Sequence, residues 1–222
     1  IDVAVHLAAH TPNPPYDSLE KCLKWNLMEP IRCFELARKG GVSKFLIAGS
    51  CFEYGLSGEH YDYIPANALL LPTNSYSSSK AAASIAFLQW AQEKEVSLRI
   101  LRIFQVYGPG ELYSRLWPSL KEAAHGGIDF QMTRGDQVRD FIHVNDVAQI
   151  FLSQCHDMHS SPTDSRWIYN VGSGKPMTIR QFAMNCWEQW NAKGKLIIGS
   201  LEYRKHEVMR FVPEISRPYK VS

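Results

Sequence analysis

The feature that most constrains this 222-residue chain is the alternation of short apolar runs with segments patterned as helices. The runs DVAVHLAA, KFLIAGS and VSLRILRIF are each bounded by polar or turn-forming residues, which is typical of buried strands. Between them, residues 18–38 carry apolar side chains at helical spacing and end at a Gly-Gly pair, and YSSSKAAASIAFLQWAQEK continues as a second helix. Strands that alternate with helices predict an α/β fold whose parallel sheet is covered on both faces.

The pattern changes after the segment VYGPGE. A helix is expected near residues 116–124, followed by a short strand and a helix within FQMTRGDQVRDFIHVNDVAQIFLSQC. The segments WIYNVGSG, TIRQFAMNCWEQW and KLIIGSL then predict a strand with a turn, a helix and a strand. We therefore place a boundary near residue 110, with most of the sheet in residues 1–110. Residues 111–222 form mainly a smaller lobe, from which some segments return to the sheet.

Composition argues against several classes of protein. The 24 Lys and Arg against 22 Asp and Glu give a net charge of +2, too weak for a nucleic-acid surface. No apolar run is long enough to span a membrane, and no signal peptide is visible. Five cysteines without a C-x-x-C pair indicate a reduced, cytoplasmic setting. Because His6, His10 and His143 are scattered without ligand spacing, no metal site is predicted.

The segment NSYSSSKAAAS places Tyr76 four residues before Lys80 at the start of the predicted helix. Residues at this spacing share one helix face. A phenol loses its proton near pH ~10, and a nearby ammonium favours the phenolate, so the pKa of Tyr76 is expected to fall. The pair predicts a general acid or base for alcohol–ketone interconversion. The spacing alone is more typical of a solvated pair, and only its context favours catalysis.

Ser50 ends the predicted strand KFLIAGS. The carboxyl ends of parallel strands are where the active sites of α/β folds gather. The hydroxyl of Ser50 is therefore placed to bind the same substrate oxygen as Tyr76.

Several stretches resemble, in order, the motifs of the extended short-chain dehydrogenase/reductase family, which includes the nucleotide-sugar epimerases and dehydratases. They are HLAA, WNLMEPIRCFELARKGGVSKFLIAGSCFEYG, YSSSK, RIFQVYGPG, VRDFIHVNDVA and YNVGSGKPMTI. The resemblance spans nearly the whole chain. It implies a Rossmann-type, doubly wound parallel sheet with a smaller C-terminal substrate-binding lobe.

The resemblance implies that Ser50, Tyr76 and Lys80 are the catalytic serine, tyrosine and lysine. It also implies NAD or NADP as the cofactor, with NAD favoured. The implied cofactor contacts are Leu7, Ala8, Ala9, Asn26, Ala48, Tyr76, Lys80 and Ile103. Simple strand burial is the alternative for Leu7 and Ala8, and a cap or a buried hydrogen bond is the alternative for Asn26.

The implied substrate is a nucleotide-diphosphate sugar. Its contacts are expected at Gln105, Arg115, Arg139 and Arg204. An arginine fork suits a diphosphate because it donates two hydrogen bonds at once. A surface salt bridge is the alternative for each arginine, and for Arg115 we favour that alternative.

The chain departs from the family pattern at several positions. Gln105 stands where the family has Asn, and His206 replaces a Gly near Arg204. Cys51 and Phe52 follow Ser50 where 4,6-dehydratases carry Asp and Glu, and neither side chain suits acid–base work at that position. Glu53 lies one position further on and is expected to point elsewhere. A 4,6-dehydratase is therefore disfavoured.

The glycine-rich fingerprint that follows the first strand of the family does not occur in these residues. Neither YGPGE nor GSGK joins a first strand to a helix. We expect about three strands to precede Ile1 in a longer protein. The alternative is a protein that has lost cofactor binding. The residue that distinguishes NAD from NADP would also lie in that segment.

The resulting prediction is an enzyme that transfers a hydride at a sugar carbon, with C4 favoured. An epimerase and a 4-ketoreductase need the same visible residues, so both stay open. A non-catalytic nucleotide-sugar-binding or regulatory protein is the alternative from another class. The family resemblance also implies a homodimer formed through the helices that hold Asn26 and Tyr76.

Overall fold

The computed structural model describes residues 2–160, 165–203 and 207–221. Its strands are β1 (Ala4–His6), β2 (Lys44–Ser50), β3 (Ser97–Ile103), β4 (Gln105–Tyr107), β5 (Phe130–Met132), β6 (Val138–His143), β7 (Arg166–Val171), β8 (Pro176–Thr178), β9 (Leu196–Ile198), β10 (Arg210–Phe211) and β11 (Tyr219–Val221). Its α-helices are α1 (Leu19–Leu23), α2 (Glu29–Lys39), α3 (Ser75–Glu93), α4 (Leu116–Gly126), α5 (Val144–Ser160) and α6 (Ile179–Gln189). A π-helical turn, Lys24–Met28, joins α1 to α2, and 3-10 turns at Cys51–Glu53 and Leu56–His60 follow β2.

The main sheet has the strand order β1-β2-β3-β7-β11. Strands β1, β2, β3 and β7 run parallel, and β11 is antiparallel to β7. The pairing of β7 with β3 brings a segment of the C-terminal half back to the main sheet. The predicted α/β fold with a parallel sheet is therefore confirmed.

Helices cover both faces of this sheet. On one face, Phe34 of α2 and Phe87 of α3 pack against Phe45 and Ile47 of β2. On the other face, Phe151 and its neighbours on α5 pack against the intervening residues of β2 and β3. Alternate residues of a strand point to opposite faces of the sheet. Because helices cover both faces, both sets of positions are apolar, and the strands are continuous apolar runs in the sequence. This explains why KFLIAGS shows no polar alternation.

A smaller sheet lies in the second half of the chain. It has the order β10-β6-β4, with β8 paired to β6, and a separate pair joins β5 to β9. Helices α4 and α6 pack here around Leu120, Phe141 and Phe182, and the two phenyl rings stack with centroids 3.8 Å apart. Strand β4 precedes residue 110 and pairs with β6, which follows it. The boundary near residue 110 stays a prediction. No described helix has the length and apolar composition that crossing a membrane requires.

His6, at the end of β1, makes the stability of the fold sensitive to acid. Its ring meets Phe34 edge to face at 5.3 Å, and burial, followed by the nearby charge of Lys80, lowers its pKa to about 4. Because the folded state disfavours the charged ring, stability is fully present above the ordinary pKa of 6.5 and is lost as the pH falls towards 4.

We expect the free energy of unfolding to fall by about 2 kcal/mol more between pH 7 and pH 5 in the wild type than in His6→Gln. Urea unfolding of both proteins at the two pH values measures the difference. An equal pH dependence in both proteins would show that His6 does not titrate in this way.

Candidate active site

The first turn of α3 holds Tyr76 in a fixed position. Asn74 caps the helix by accepting a hydrogen bond from the amide of Ser77 at 2.9 Å, and the Ser77 hydroxyl accepts one from the amide of Asn74 at 3.1 Å. Such a reciprocal cap fixes where a helix begins. Tyr76 follows the cap directly, and only 6% of its surface is exposed.

Small residues on α3 allow the helix to approach the sheet closely. Ser79, Ala83 and Ser84 are buried on its inner side. Lys80 lies one turn after Tyr76 and is only 4% exposed. Its ammonium donates a hydrogen bond of 2.7 Å to the carbonyl oxygen of Ala48, near the end of β2. The lysine is thus held inside the protein, which argues against the solvated pair that the spacing left open.

Ser50 ends β2 and caps the short 3-10 turn that follows. Its hydroxyl oxygen accepts a hydrogen bond of 3.3 Å from the amide of Phe52. The sequence prediction placed the Ser50 and Tyr76 hydroxyls at one substrate oxygen. The structure brings both residues to one cavity at the carboxyl edge of the sheet, where Ser50 is near enough to lower the pKa of Tyr76.

The pKa of Tyr76 differs from the sequence expectation. Burial raises it to about 12; the neighbouring Ser50 hydroxyl lowers it, and the nearby groups Cys51, Glu53 and Tyr16 raise it further. The prediction that Lys80 draws this pKa towards neutrality is therefore wrong for the structure as it stands. The reason is that desolvation of the phenolate outweighs the favourable interactions, a balance that spacing along a helix does not reveal.

A cavity of about 330 Å³ opens at this edge of the sheet, a volume within the usual range for small-ligand sites. The predicted site residues that line it are Leu7, Ala9, Ala48, Ser50, Tyr76, Lys80, Ile103, Gln105 and Arg115. They come from the segments that follow β1, from the ends of β2 and β3, from α3, and from β4 with the loop after it. Parallel strand ends thus assemble most of the predicted site around one space.

Ala8, Asn26 and Arg139 do not line this cavity. Asn26 is buried in the π-helical turn, where its amide accepts from the backbone N–H of His10 at 2.6 Å and donates to the Ser79 hydroxyl at 2.9 Å. Asn26 therefore makes the buried hydrogen bonds that were its alternative interpretation. Because Arg204 and His206 lie outside the described residues, the structure says nothing of their predicted roles.

Arg139 lies next to the cavity wall. Its guanidinium donates to the carbonyl oxygen of Val208 at 2.7 Å and to the carboxylate of Glu207 at 3.2 Å. It is also close enough to Cys51, which lines the cavity, for each to influence the pKa of the other. Arg115 pairs with Glu111 at 3.1 Å and donates to Asn13 at 3.2 Å, so its salt bridge borders the cavity directly.

Sequence reasoning missed Glu111. This carboxylate lines the cavity, and its Oε2 atom is buried with no hydrogen-bond partner among the residues that the structure describes. Burial raises the pKa of Glu111, while Arg115 lowers it. A buried acceptor facing a cavity is costly unless something donates to it. Only the Glu-x-x-x-Arg spacing was visible in the sequence, and that spacing is typical of an ordinary helical ion pair.

The positions after Ser50 are poorly suited to acid–base chemistry. Burial raises the pKa of the Cys51 thiol to about 12, so the thiol is neutral at physiological pH, and Phe52 has no titratable group. Among the residues described, no group of three or more His, Cys, Asp or Glu side chains is arranged to hold a metal ion. The chemistry of the cavity therefore centres on hydroxyl, ammonium and carboxylate groups.

Comparison with known proteins identifies the family. The model of the NAD dependent epimerase/dehydratase family matches residues 1–172. This chain belongs to that family, which confirms the resemblance carried by the motifs. The description of the family names NAD, in agreement with the cofactor class that the resemblance implied.

The similarity to individual proteins is distant. Probable UDP-arabinose 4-epimerase 3 from Arabidopsis thaliana is 26% identical over 175 residues, which make up 68% of this chain and 41% of that protein. The chain therefore spans less than half the length of this curated relative.

Two solved structures share the fold. MoeE5 in complex with UDP-glucuronic acid and NAD has a TM-score of 0.81 at 24% identity, covering 97% of this chain and 71% of that one. RMD from Pseudomonas aeruginosa complexed with NADPH has a TM-score of 0.82 at 24% identity, covering 97% and 72%. At these identities the likeness establishes a Rossmann-type fold.

Proposed function

We propose that this chain carries the catalytic and substrate-binding residues of an NAD(P)-dependent nucleotide-sugar enzyme that transfers a hydride at a sugar carbon. The observation that carries the proposal is that Ser50, Tyr76 and Lys80 line one cavity at the carboxyl edge of the sheet, with Lys80 one helical turn from Tyr76. C4 is the proposed carbon, since 4-epimerases are among the similar proteins.

In this proposal the Tyr76 hydroxyl exchanges a proton with one oxygen of the sugar. Oxidation of the sugar converts that oxygen from a hydroxyl to a carbonyl, and reduction converts it back. Ser50 orients that oxygen by hydrogen bonding. Leu7, Ala9, Ala48, Lys80 and Ile103 would hold the dinucleotide, whose bound nicotinamide supplies the acceptor or donor of the hydride. The apolar side chains of this set and the buried ammonium of Lys80 fit a ring and its ribose.

Gln105, Arg115 and Arg139 are the proposed contacts of the nucleotide-sugar substrate. A UDP-sugar is bound in the structure of MoeE5. Arg139 sits beside the cavity wall with its guanidinium already held by Glu207 and Val208, so it is oriented before a substrate arrives. A preoriented arginine loses less side-chain entropy on binding a diphosphate.

A 4-ketoreductase is the second candidate, and one observation favours it. The pKa of Tyr76 is raised to about 12, so its phenol is protonated at neutral pH and ready to donate to a developing alkoxide. Reduction of a ketone needs this donation as its first proton transfer, whereas oxidation of an alcohol needs a base. A reductase consumes one reduced cofactor per product, while an epimerase returns it, so product formed per added NAD(P)H distinguishes them.

We propose a homodimer formed through α1, α2 and α3. Large apolar side chains are exposed on these helices and the turn between them, at Leu19, Trp25, Met28, Leu36 and Ile85. Light scattering coupled to size exclusion is expected to give twice the chain mass, and Ile85→Glu is expected to give a monomer.

The five unpaired cysteines agree with the cytoplasm as the proposed location.

The proposal is tested by thermal shift with NAD or NADP and a panel of UDP-, dTDP-, GDP- and CDP-glucose. A ligand that binds only the folded state raises Tm by mass action. We expect at least one sugar nucleotide, added with the cofactor, to raise Tm and either to form an epimer or to change the absorbance at 340 nm. A shift in Tm without conversion would favour the non-catalytic alternative, and a panel without any shift would contradict the proposal.

Glu111 is expected to bind a hydroxyl of the substrate. Glu111→Gln keeps the size of the side chain but weakens acceptance at the buried Oε2 position, so we expect KM to rise about tenfold with little change in kcat. Steady-state kinetics with the sugar nucleotide found in the panel measures both constants. Glu122→Gln, on the neighbouring α4, is the matched control. An unchanged KM in Glu111→Gln would remove this carboxylate from substrate recognition.

A further inference from the structure

We propose that Glu53 is a positioning residue that fixes the Ser50 backbone against α3 and β3, and so sets the distance between the Ser50 and Tyr76 hydroxyls. The inference rests on the function proposed above and deepens it. Glu53 does not line the cavity and would act only through the residues that it holds.

The carboxylate of Glu53 is fully buried and accepts hydrogen bonds from three separate elements. One oxygen accepts from the backbone N–H of Ser50 at 2.8 Å. The other accepts from the Ser84 hydroxyl of α3 at 2.7 Å and from the Arg102 guanidinium of β3 at 2.8 Å. A single side chain thus joins the strand end, the helix and the neighbouring strand.

Each of these contacts lies close to a proposed catalytic or cavity-lining residue. Ser84 follows Tyr76 by eight residues, or about two helical turns, so both lie on one side of α3. Arg102 directly precedes Ile103, which lines the cavity. Moving the carboxylate would therefore shift Ser50 relative to α3, the helix that carries Tyr76 and Lys80.

The chain leaves little freedom around this carboxylate. A Cβ at Gly49 would lie 3.0 Å from Glu53 Oε1 and 2.9 Å from Ile100, so only glycine allows the approach. The Arg102 guanidinium is fixed in turn by the hydroxyl of Tyr54 and the carbonyl oxygen of Ala66, both at 3.0 Å. Rigid support of this kind is what a catalytic hydroxyl needs to keep its geometry.

A purely structural ion pair makes a different prediction from a positioning residue. Apolar side chains of similar volume often replace a buried ion pair without loss of stability. If Glu53 only pairs Arg102, any neutral replacement of both residues should leave catalysis intact. If Glu53 positions Ser50, the replacement must also keep an acceptor for the Ser50 N–H.

Two double variants separate these roles. Glu53→Leu with Arg102→Met removes the charges and the acceptor, whereas Glu53→Gln with Arg102→Met removes the charges and keeps a carbonyl acceptor. We expect kcat of the first to fall about 10²-fold, as for a displaced catalytic group, with KM nearly unchanged. We expect the second to keep kcat within about threefold of the wild type, because the acceptor is retained.

The assay is turnover of the sugar nucleotide identified in the panel, with melting curves to establish that each variant is folded. Glu35→Gln, which breaks the surface pair with Arg38, is the control for loss of an acidic side chain. Should a double variant not fold, Ser84→Ala tests the same network while the ion pair stays intact. For that variant a severalfold loss of kcat supports the proposal and an unchanged kcat overturns it.

Equal kcat values in the two folded double variants, or a change confined to KM, would overturn the positioning role. That result would leave the proposed function in place as long as Tyr76→Phe is inactive. Full activity in Tyr76→Phe would instead overturn the proposed function itself. The two failures are therefore distinguishable in one set of proteins.

Discussion

Tyr76→Phe is expected to lower kcat by about 10²–10⁴-fold, the usual contribution of general acid–base catalysis, while the protein stays folded. The substitution removes only the hydroxyl and leaves the buried ring stacked beside Tyr16, whose ring is nearly parallel to it at a centroid distance of 6.2 Å. The substrate-binding residues are unchanged, so KM is expected to stay within a few-fold. Steady-state kinetics and a melting curve measure the two effects.

Tyr63→Phe is the matched control for this prediction. It makes the same chemical change at a half-exposed tyrosine outside the cavity, and we expect wild-type kinetics. If Tyr76→Phe kept more than about a third of the wild-type kcat, Tyr76 would not be the proton donor or acceptor. Its burial would then serve only packing.

Arg102→Met is expected to lower the free energy of unfolding by about 3–5 kcal/mol, because it leaves the Glu53 carboxylate buried without its cation. Both partners are almost completely buried, with side-chain exposures of 3% and 0%, so water cannot replace the lost partner. The variant also leaves the Tyr54 hydroxyl and the Ala66 carbonyl without the donor they share. Urea unfolding monitored by circular dichroism measures the change.

The double variant Glu53→Leu with Arg102→Met should recover most of this loss. Neither charge of this pair then stays buried, and the two apolar side chains fill a similar volume. Recovery to within about 2 kcal/mol of the wild type would show that the cost arises from the unpaired charge. A loss below about 1 kcal/mol in the single variant would mean that solvent reaches Glu53, contrary to the burial described.

The main sheet and the edge that holds the candidate site could be predicted because local patterns determine them. The apolar runs that became β2 and β3 are continuous since helices cover both sheet faces, and the cap formed by Asn74 and Ser77 on either side of Tyr76 is a local signal for the start of α3. The motifs then assigned Ser50, Tyr76 and Lys80 to one family pattern. The structure brings these three residues to one cavity, and their catalytic roles stay a prediction.

The network behind the site could not be predicted, because it depends on contacts between distant segments. Glu53 was expected to point elsewhere, and it does point away from the cavity. Its partners Ser84 and Arg102 lie 31 and 49 residues further along the chain. The unpartnered oxygen of Glu111 likewise depends on how the loop after β4 closes over the cavity.

The pKa of Tyr76 shows why spacing alone was insufficient. The four-residue spacing to Lys80 was read correctly as a shared helix face, but the ammonium of Lys80 is directed to the carbonyl oxygen of Ala48. Burial of the phenol then dominates and raises its pKa to about 12. Desolvation is a property of the assembled cavity, so a sequence pattern cannot supply its size.

The most direct measurement follows deuterium from a sugar nucleotide labelled at C4, incubated with the protein and oxidised cofactor and analysed by mass spectrometry. We expect the wild type either to move the label to the cofactor, as a reductase running in reverse does, or to return it to C4 of the epimerised sugar, and we expect Tyr76→Phe to do almost neither. Deuterium lost to water from the wild type, or transferred equally well by Tyr76→Phe, would contradict the proposed function.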